Sequence, residues 1–140
     1  MRKKNIKISI VTSVKNGSKT ILNLINSLNS QTYKNFEWLV WDGDSNDNTM
    51  ELIKINYNRN IMLKSGPDQN MFDGWNKILK YSTGDWILFL GADDMLNDPD
   101  VLRNFVKKIS KIKNHEKFSL IYGNVCFIDH NLIPLRTLNL

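Results

Sequence analysis

The sequence predicts an α/β fold, a mostly parallel sheet with helices on both faces. Three observations carry this. Apolar stretches of strand period alternate with stretches of helical period along the chain. Short loops rich in Asp, Asn, Ser and Gly separate them. The 140 residues amount to one domain, and no repeat or linker interrupts the alternation.

Each element has its own signal. Residues 7–14 (KISIVTSV) are β-branched and partly alternating, hence a strand. Ser18 offers an N-cap to a helix whose apolar stripe is Ile21, Leu22, Leu24, Ile25 and Leu28. Residues 36–41 (FEWLVW) form an apolar strand, followed by a polar loop. Residues 49–57 predict a short helix with Met50, Ile53 and Tyr57 on one side. After a turn at 58–60 comes a short strand at 61–64, stopped by Ser65-Gly66-Pro67. Met71, Trp75, Ile78 and Leu79 predict a helix over 70–81, ended by Thr83-Gly84. Residues 86–90 (WILFL) are apolar throughout, which predicts a central strand covered on both faces. Asp98-Pro99 is an N-cap signal with proline at the first helical position. Behind it Val101, Leu102, Phe105, Val106, Ile109 and Ile112 make a long amphipathic helix. Residues 118–122 and 125–128 are expected as two further strands.

Composition narrows the function. Hydrophobic residues are 41% and charged residues 24% of the chain, ordinary globular values that exclude a fibrous or wholly disordered protein. The single cysteine, Cys126, excludes a disulfide framework and a cysteine zinc site. The N-terminus is basic but lacks the apolar core of a signal peptide, so a cytoplasmic location is expected. The net charge of +5 is spread along the chain. Lys107, Lys108, Lys111 and Lys113 cluster on the solvent side of one helix, so no nucleic-acid partner is expected. His115 and His130 are lone surface histidines.

In parallel sheets ligands bind outside the carboxyl ends of the strands. Four loops lie there: 15–18, 42–48, 65–70 and 91–97. Two are acidic, Asp42-Gly43-Asp44-Ser45-Asn46-Asp47 and Gly91-Ala92-Asp93-Asp94. Carboxylates gathered at one end of a sheet repel unless a cation or a hydrogen-bonding ligand lies between them. Oxygen ligands suit Mg²⁺ or Mn²⁺, which complete their shell with water and substrate phosphates. Asp47 and Asp98 are better explained as caps of the next helices. Asp93 and Asp94 are not, because Asp98 lies nearer the following helix.

Four segments resemble the nucleotide-binding part of family 2 glycosyltransferases of the GT-A fold. They are ISIVTSVKNG, SQTYKNFEWLVWDGDSNDNT, SGPDQNMFDGWNKILKYSTGDWILFLGADD and the late YGNV. The resemblance spans nearly the whole chain. It implies that Asp42 meets the nucleobase edge, where an acceptor-only carboxylate suits the imide N–H of uracil or thymine. It implies that Asp93 faces the ribose and, with Asp94, a divalent metal bridging the diphosphate. Thr12 and Val14 would line the nucleotide pocket, and Asn76 the donor pocket beside Asp73 and Lys77. Asp68 matches the family's aspartate or serves the turn. The chain departs from the family at Asp44 and Asn48, where glycine is usual, and at Phe72 and Trp75.

The expected activity is inverting transfer of a sugar from a UDP- or dTDP-linked donor to a saccharide or lipid-linked acceptor, in bacterial-type surface polysaccharide synthesis. A cytoplasmic site at the inner face of the membrane, with peripheral association, is compatible with such an acceptor. The single domain 1–140 is expected to bind the donor, with the acceptor-side segment absent and the general base beyond Leu140. Asp129 is the weak candidate within the chain. The alternative is a nucleotide-sugar-binding module without turnover. A receiver domain would need acidic residues where Val14-Lys15-Asn16 stand, and a nucleotidyltransferase a glycine-rich basic loop there.

Overall fold

The structure, a computed structural model, describes residues 5–112 and 124–138. It contains two compact units, Met1–Lys108 and Ile109–Leu140.

The first unit alternates strand and helix: β1 (Ile8–Val14), α1 (Ile21–Ser30), β2 (Phe36–Asp42), α2 (Thr49–Asn56), β3 (Ile61–Ser65), α3 (Met71–Leu79), β4 (Trp86–Phe89) and the start of α4 (Val101–Ile109). The four strands form one parallel sheet in the order β3-β2-β1-β4. The register sets Val14 beside Asp42, and Asp42 beside Ser65. All three strand ends therefore reach one edge.

Strand alternation divides the core. Ile8, Ile10 and Val14 of β1 share a face with Trp38 and Val40 of β2. Ile21, Leu24, Ile25 and Leu28 of α1, Ile53 of α2 and Leu102 of α4 cover it. Val11 and Leu39 point the other way, against Ile78 and Trp75 of α3. Helices thus lie on both faces. The helix α3 comes very close: a Cβ on Gly74 would sit 2.2 Å from Ser13 Oγ and 2.9 Å from Trp41 Cδ1.

Three expectations are corrected. β4 is not covered on both faces, and among the described strands it pairs with β1 alone. Trp86 meets Phe105 on the α4 side, but Ile87 and Phe89 on the other face remain exposed. An unbroken apolar run reports strand propensity, and here it does not report burial on two faces. Ser18 does not cap α1. That helix begins at Ile21 after Thr20, with Gly17 O accepting from Thr20 N and Ile21 N. The Ser18 N–H turns instead to Asp47. The helix over 70–81 ends earlier, at Leu79, although its cap is Asn70, whose side chain accepts from Phe72 N and Asp73 N.

The second unit holds an antiparallel hairpin, β5 (Val125–Ile128) and β6 (Pro134–Leu138). The turn Asp129-His130-Asn131 was the available signal for β6, which the periodicity alone does not reveal. The strand expected at 118–122, like His115 and Lys113, lies outside the described residues.

Candidate functional site

The loop after β1 and the loop after β2 are stitched together. Asn16 N donates to Ser45 Oγ at 2.8 Å, and Asn46 N returns to Asn16 Oδ1 at 2.9 Å. Gly43 N donates to Val14 O at 2.8 Å. Asn16 and Asp44 both adopt the left-handed backbone, with φ of 53° and 55°. Asn48 does not, at φ −84°. Asp47 bridges the same loops, taking Ser18 N at 3.1 Å and the Thr49 N–H and hydroxyl. The Thr49 hydroxyl, with Ser18 as a further donor, holds the Asp47 carboxyl far below the usual carboxylate range against the opposing effect of burial. Asp47 therefore ties its own loop to the first turn of α2.

Asp42, at the end of β2, is 1% exposed. Its Oδ2 accepts from Ser45 N at 3.0 Å and Ser65 Oγ at 2.8 Å. Its Oδ1 is buried and has no hydrogen-bond partner among the described residues. A buried carboxylate oxygen without a donor is costly, so this atom marks a place where a donor belongs. It has almost no solvent contact, and an incoming N–H reaches it only if the surrounding loops give way.

The loop after β3 closes the same side. A Cβ on Gly43 would lie 2.6 Å from Asp68 Oδ2, so Asp68 rests on the backbone following Asp42. Lys77 Nζ donates to Pro67 O at 2.6 Å and to Asp73 Oδ2 at 2.8 Å, and lies 5.4 Å from the Trp41 ring centre. Lys77 thereby staples α3 to the loop before it. The Lys77 hydrogen bond, aided by the Gln69 N–H, lowers the Asp73 carboxyl below its ordinary value. Asn76 is exposed on the next position of the helix.

Asp93 and Asp94 follow β4, and both are exposed. A Cβ on Gly91 would lie 2.8 Å from Asp93 Oδ1 and 3.2 Å from Asp94 Oδ2, so both carboxylates face one backbone position. Asp94 Oδ2 accepts from Gly91 N at 2.7 Å. This loop abuts the loop after β1: a Cβ on Gly17 would meet Ala92 Cβ at 3.4 Å. The donor set is oxygen only. Among the described residues no group of three or more His, Cys, Asp or Glu could hold a metal ion. Two exposed carboxylates fit an ion that takes the rest of its shell from water and phosphate.

The remaining expected residues sit as follows. Thr12 is buried, and its hydroxyl accepts from Trp38 Nε1 at 3.0 Å within the core. Val14 is buried beneath Gly17. Asp129 Oδ1 accepts from Asn131 N and Ile133 N, both at 2.9 Å, inside the β5–β6 turn.

Sequence reasoning missed the supports. Ser65 fixes Asp42. Gln31 is fully buried; it donates to Asp98 O at 2.8 Å and accepts from Leu102 N at 3.1 Å. Ser27 Oγ accepts from Leu96 N at 3.1 Å. These two pin the chain after Asp94 to α1. The Gln31-Thr32-Tyr33 match was the available signal for Gln31.

A parallel sheet whose carboxyl edge gathers aspartates from neighbouring strands defines a GT-A-type α/β domain. The family model "Glycosyl transferase family 2" matches residues 9–123, and the chain belongs to that family. It is 32% identical over 120 residues to a PGL/p-HBAD biosynthesis glycosyltransferase of Mycobacterium bovis, covering 84% of this chain and 46% of that protein. It is 34% identical over 128 residues to the UDP-Glc:alpha-D-GlcNAc-diphosphoundecaprenol beta-1,3-glucosyltransferase WfgD of Escherichia coli, covering 90% of this chain and 48% of that one. The chain thus spans about half the length of these relatives. Among solved structures it is similar to S. aureus TarS 1-349 in complex with UDP-GlcNAc, with a TM-score of 0.72 and 27% identity over 76% of this chain and 32% of that one.

Proposed function

We propose that this chain binds the nucleotide-sugar donor of an inverting glycosyltransferase. One observation carries the reading: the Asp93–Asp94 loop packs at Gly17 against the β1 loop, which is itself bonded to the loop behind Asp42. One edge of the sheet thereby gathers an acceptor for a base and two carboxylates for a metal diphosphate. In this reading Asp42 Oδ1 accepts the imide N–H of uracil or thymine, which relieves its missing partner. The buried Thr12 and Val14 form the pocket's floor. Asp93 takes the ribose hydroxyls and shares a divalent metal, Mg²⁺ or Mn²⁺, with Asp94. Asn76 borders the donor sugar. When bound, the metal neutralises charge on the leaving diphosphate. The acceptor oxygen attacks the anomeric carbon, the bond from that carbon to the phosphate oxygen breaks, and the acceptor proton passes to a carboxylate base.

The relatives support a UDP-linked donor and a lipid-linked saccharide acceptor, since WfgD is named for both and TarS is seen with UDP-GlcNAc. Surface polysaccharide synthesis at the inner face of the membrane, by peripheral association from the cytoplasm, follows from such an acceptor. No helix among the described residues is long and apolar enough to cross a membrane. Asp129 is the candidate base within the chain, although its Oδ1 is engaged in its own turn.

The test is calorimetric titration with UDP, dTDP and GDP, with and without Mn²⁺, beside a transfer assay with UDP-sugars and lipid-linked acceptors. UDP or dTDP binding that strengthens with Mn²⁺ supports the reading. Metal-independent binding, or equal affinity for GDP, overturns it. Donor binding without transfer favours the binding-module alternative.

A further inference from the structure

Two aromatic residues, Phe72 of α3 and Phe89 of β4, are exposed and serve neither the core nor the proposed nucleotide site. Trp75 meets Phe72 edge-on with ring centres 5.5 Å apart, and Phe89 at 4.7 Å with the planes tilted by 42°. The two outer rings are open to solvent: Phe72 is 60% exposed and Phe89 44%. Buried hydrophobic surface stabilises a fold, whereas grouped exposed aromatics mark a binding surface. Trp75 is partly buried against Val11, Leu39 and Ile78, which fixes the ring between them. The platform is thus formed before anything binds, and little ordering cost remains.

Its position limits what it can serve. Phe89 is two residues before Gly91, whose loop carries Asp93 and Asp94. Phe72 stands in the first turn of α3, directly after the loop holding Asp68. Asn76, four residues on, shares the Phe72 face of the helix and is exposed; bordering the donor sugar in the reading above, it stands where donor and acceptor sugars would meet. Exposed rings with an amide beside them suit a pyranose. The faces of the rings carry negative potential and attract the polarised C–H groups of a sugar, while the amide both donates to and accepts from its hydroxyls. A polyprenyl tail would have no use for the amide.

We propose that Phe72 and Phe89, held by Trp75, form a stacking platform for the acceptor saccharide of the transfer reaction. This rests on the glycosyl-transfer reading above. The platform sets the acceptor beside the loop that carries the proposed metal carboxylates.

The experiment is saturation-transfer NMR on the full chain with methyl glycosides of glucose, N-acetylglucosamine, galactose and mannose, with UDP affinity measured in parallel. The expected result is transfer to the ring protons of at least one glycoside. Phe72→Leu and Phe89→Leu should each weaken that glycoside at least fivefold, while Phe72→Tyr retains it and UDP affinity stays at the parent's value. Thermal melts of the variants confirm that they fold. Glycoside signals that survive both leucine variants overturn the platform, as does silence from every pyranoside. With n-octyl glucoside, transfer confined to the alkyl chain assigns the surface to lipid and likewise overturns it. If UDP fails to bind the parent while a glycoside still depends on Phe72, the donor reading fails and the saccharide platform stands.

Discussion

The two ends of the parallel sheet treat a buried carboxylate in opposite ways. At the amino end, Glu37 of β2 accepts from Lys7 Nζ at 2.7 Å, Ser9 Oγ at 2.6 Å, Thr83 N at 2.7 Å and the Thr83 hydroxyl. Gly84 N returns to Ser9 Oγ at 2.9 Å, and Asp85 Oδ2 accepts from Lys7 N at 2.9 Å. The donors come from β1, the residue before it and the α3–β4 connection, and the network locks that connection to the sheet. At the carboxyl end, Asp42 of the same strand has one oxygen paired and one left over. Two non-glycine residues hold left-handed backbone there, Asn16 and Asp44. A satisfied network stabilises the fold. Strain and missing partners are tolerated where a ligand will act. One strand therefore carries both a fully paired carboxylate and one that, in the proposed reading, is completed by a ligand.

The largest effect should come from breaking the amino end. Burial alone would raise the Glu37 carboxyl, but the hydrogen bonds from Lys7, Ser9 and Thr83 outweigh it and bring it from 4.5 to about 2. Because the folded value lies below the unfolded one, the stabilisation is present above about pH 4.5 and is lost as pH falls toward 2. It amounts to at most about 3 kcal/mol. Urea denaturation from pH 7 to pH 2 should show that decline in the parent. Glu37→Gln should be less stable at pH 7 and lack this part of the acid limb, with nucleotide affinity unchanged wherever it is folded. An acid limb identical to the parent's would remove Glu37 from this role.

The next effect belongs to the exposed carboxylates. Asp94→Ala removes a metal ligand in the proposed site and the acceptor for Gly91 N, on a loop outside the core. Stability should shift by less than about 1 kcal/mol. Affinity for UDP in the presence of Mn²⁺ should fall at least tenfold, and without Mn²⁺ it should hardly change. Equal losses in both conditions would assign Asp94 to the loop and not to a metal.

Much of this was legible beforehand because it depends on short-range patterning. Strand and helix periods located β1, α1, β2, α2, β3 and α3, and strand ends located Asp42, Asp93 and Asp94. What was hidden depends on long-range partners. The exposure of Ile87 and Phe89 follows from what packs over β4, and WILFL has the same composition whether covered or bare. Ser65 matters because β3 lies in register with Asp42. Gln31 matters because residues 98–102 return to it across the sequence. The bond from Trp38 Nε1 to the Thr12 hydroxyl was hidden for the same reason, since only the sheet register brings the two residues together.

Asp42→Asn isolates the unpaired oxygen. The amide keeps the shape, and its oxygen can still accept from Ser45 and Ser65 while its NH₂ takes the place of Oδ1. Relief of a buried charge should leave stability unchanged or slightly higher. Loss of a charge-assisted hydrogen bond, roughly 1.5–3 kcal/mol, should weaken UDP and dTDP about tenfold or more. GDP should be affected less, and calorimetry with the three nucleotides reads the difference. The same loss for all three would exclude Asp42 from base recognition.

The smallest effect, and the sharpest in sign, concerns Asp44 and Asn48, two positions of the loop after β2 with opposite backbone conformations. Asp44 sits at φ 55°, a region where a side chain's Cβ crowds the backbone. Asn48 sits at φ −84° and ψ 20°, at the entry to α2, where any residue is comfortable. The same substitution should therefore act in opposite directions. Asp44→Gly removes a strained conformation and should stabilise by about 0.5–1 kcal/mol, even after glycine's greater freedom in the unfolded chain is counted. Asn48→Gly relieves nothing and adds only that freedom, so it should destabilise by roughly 0.5–1 kcal/mol. Asp44 is exposed, and neither change touches Asp42 or Asp47 directly, so UDP affinity serves as the control. Urea midpoints at constant m-value read both shifts. If Asp44→Gly destabilises as much as Asn48→Gly, the left-handed turn at Asp44 is not strained, and the contrast between the two ends of the sheet rests on Asp42 and Asn16.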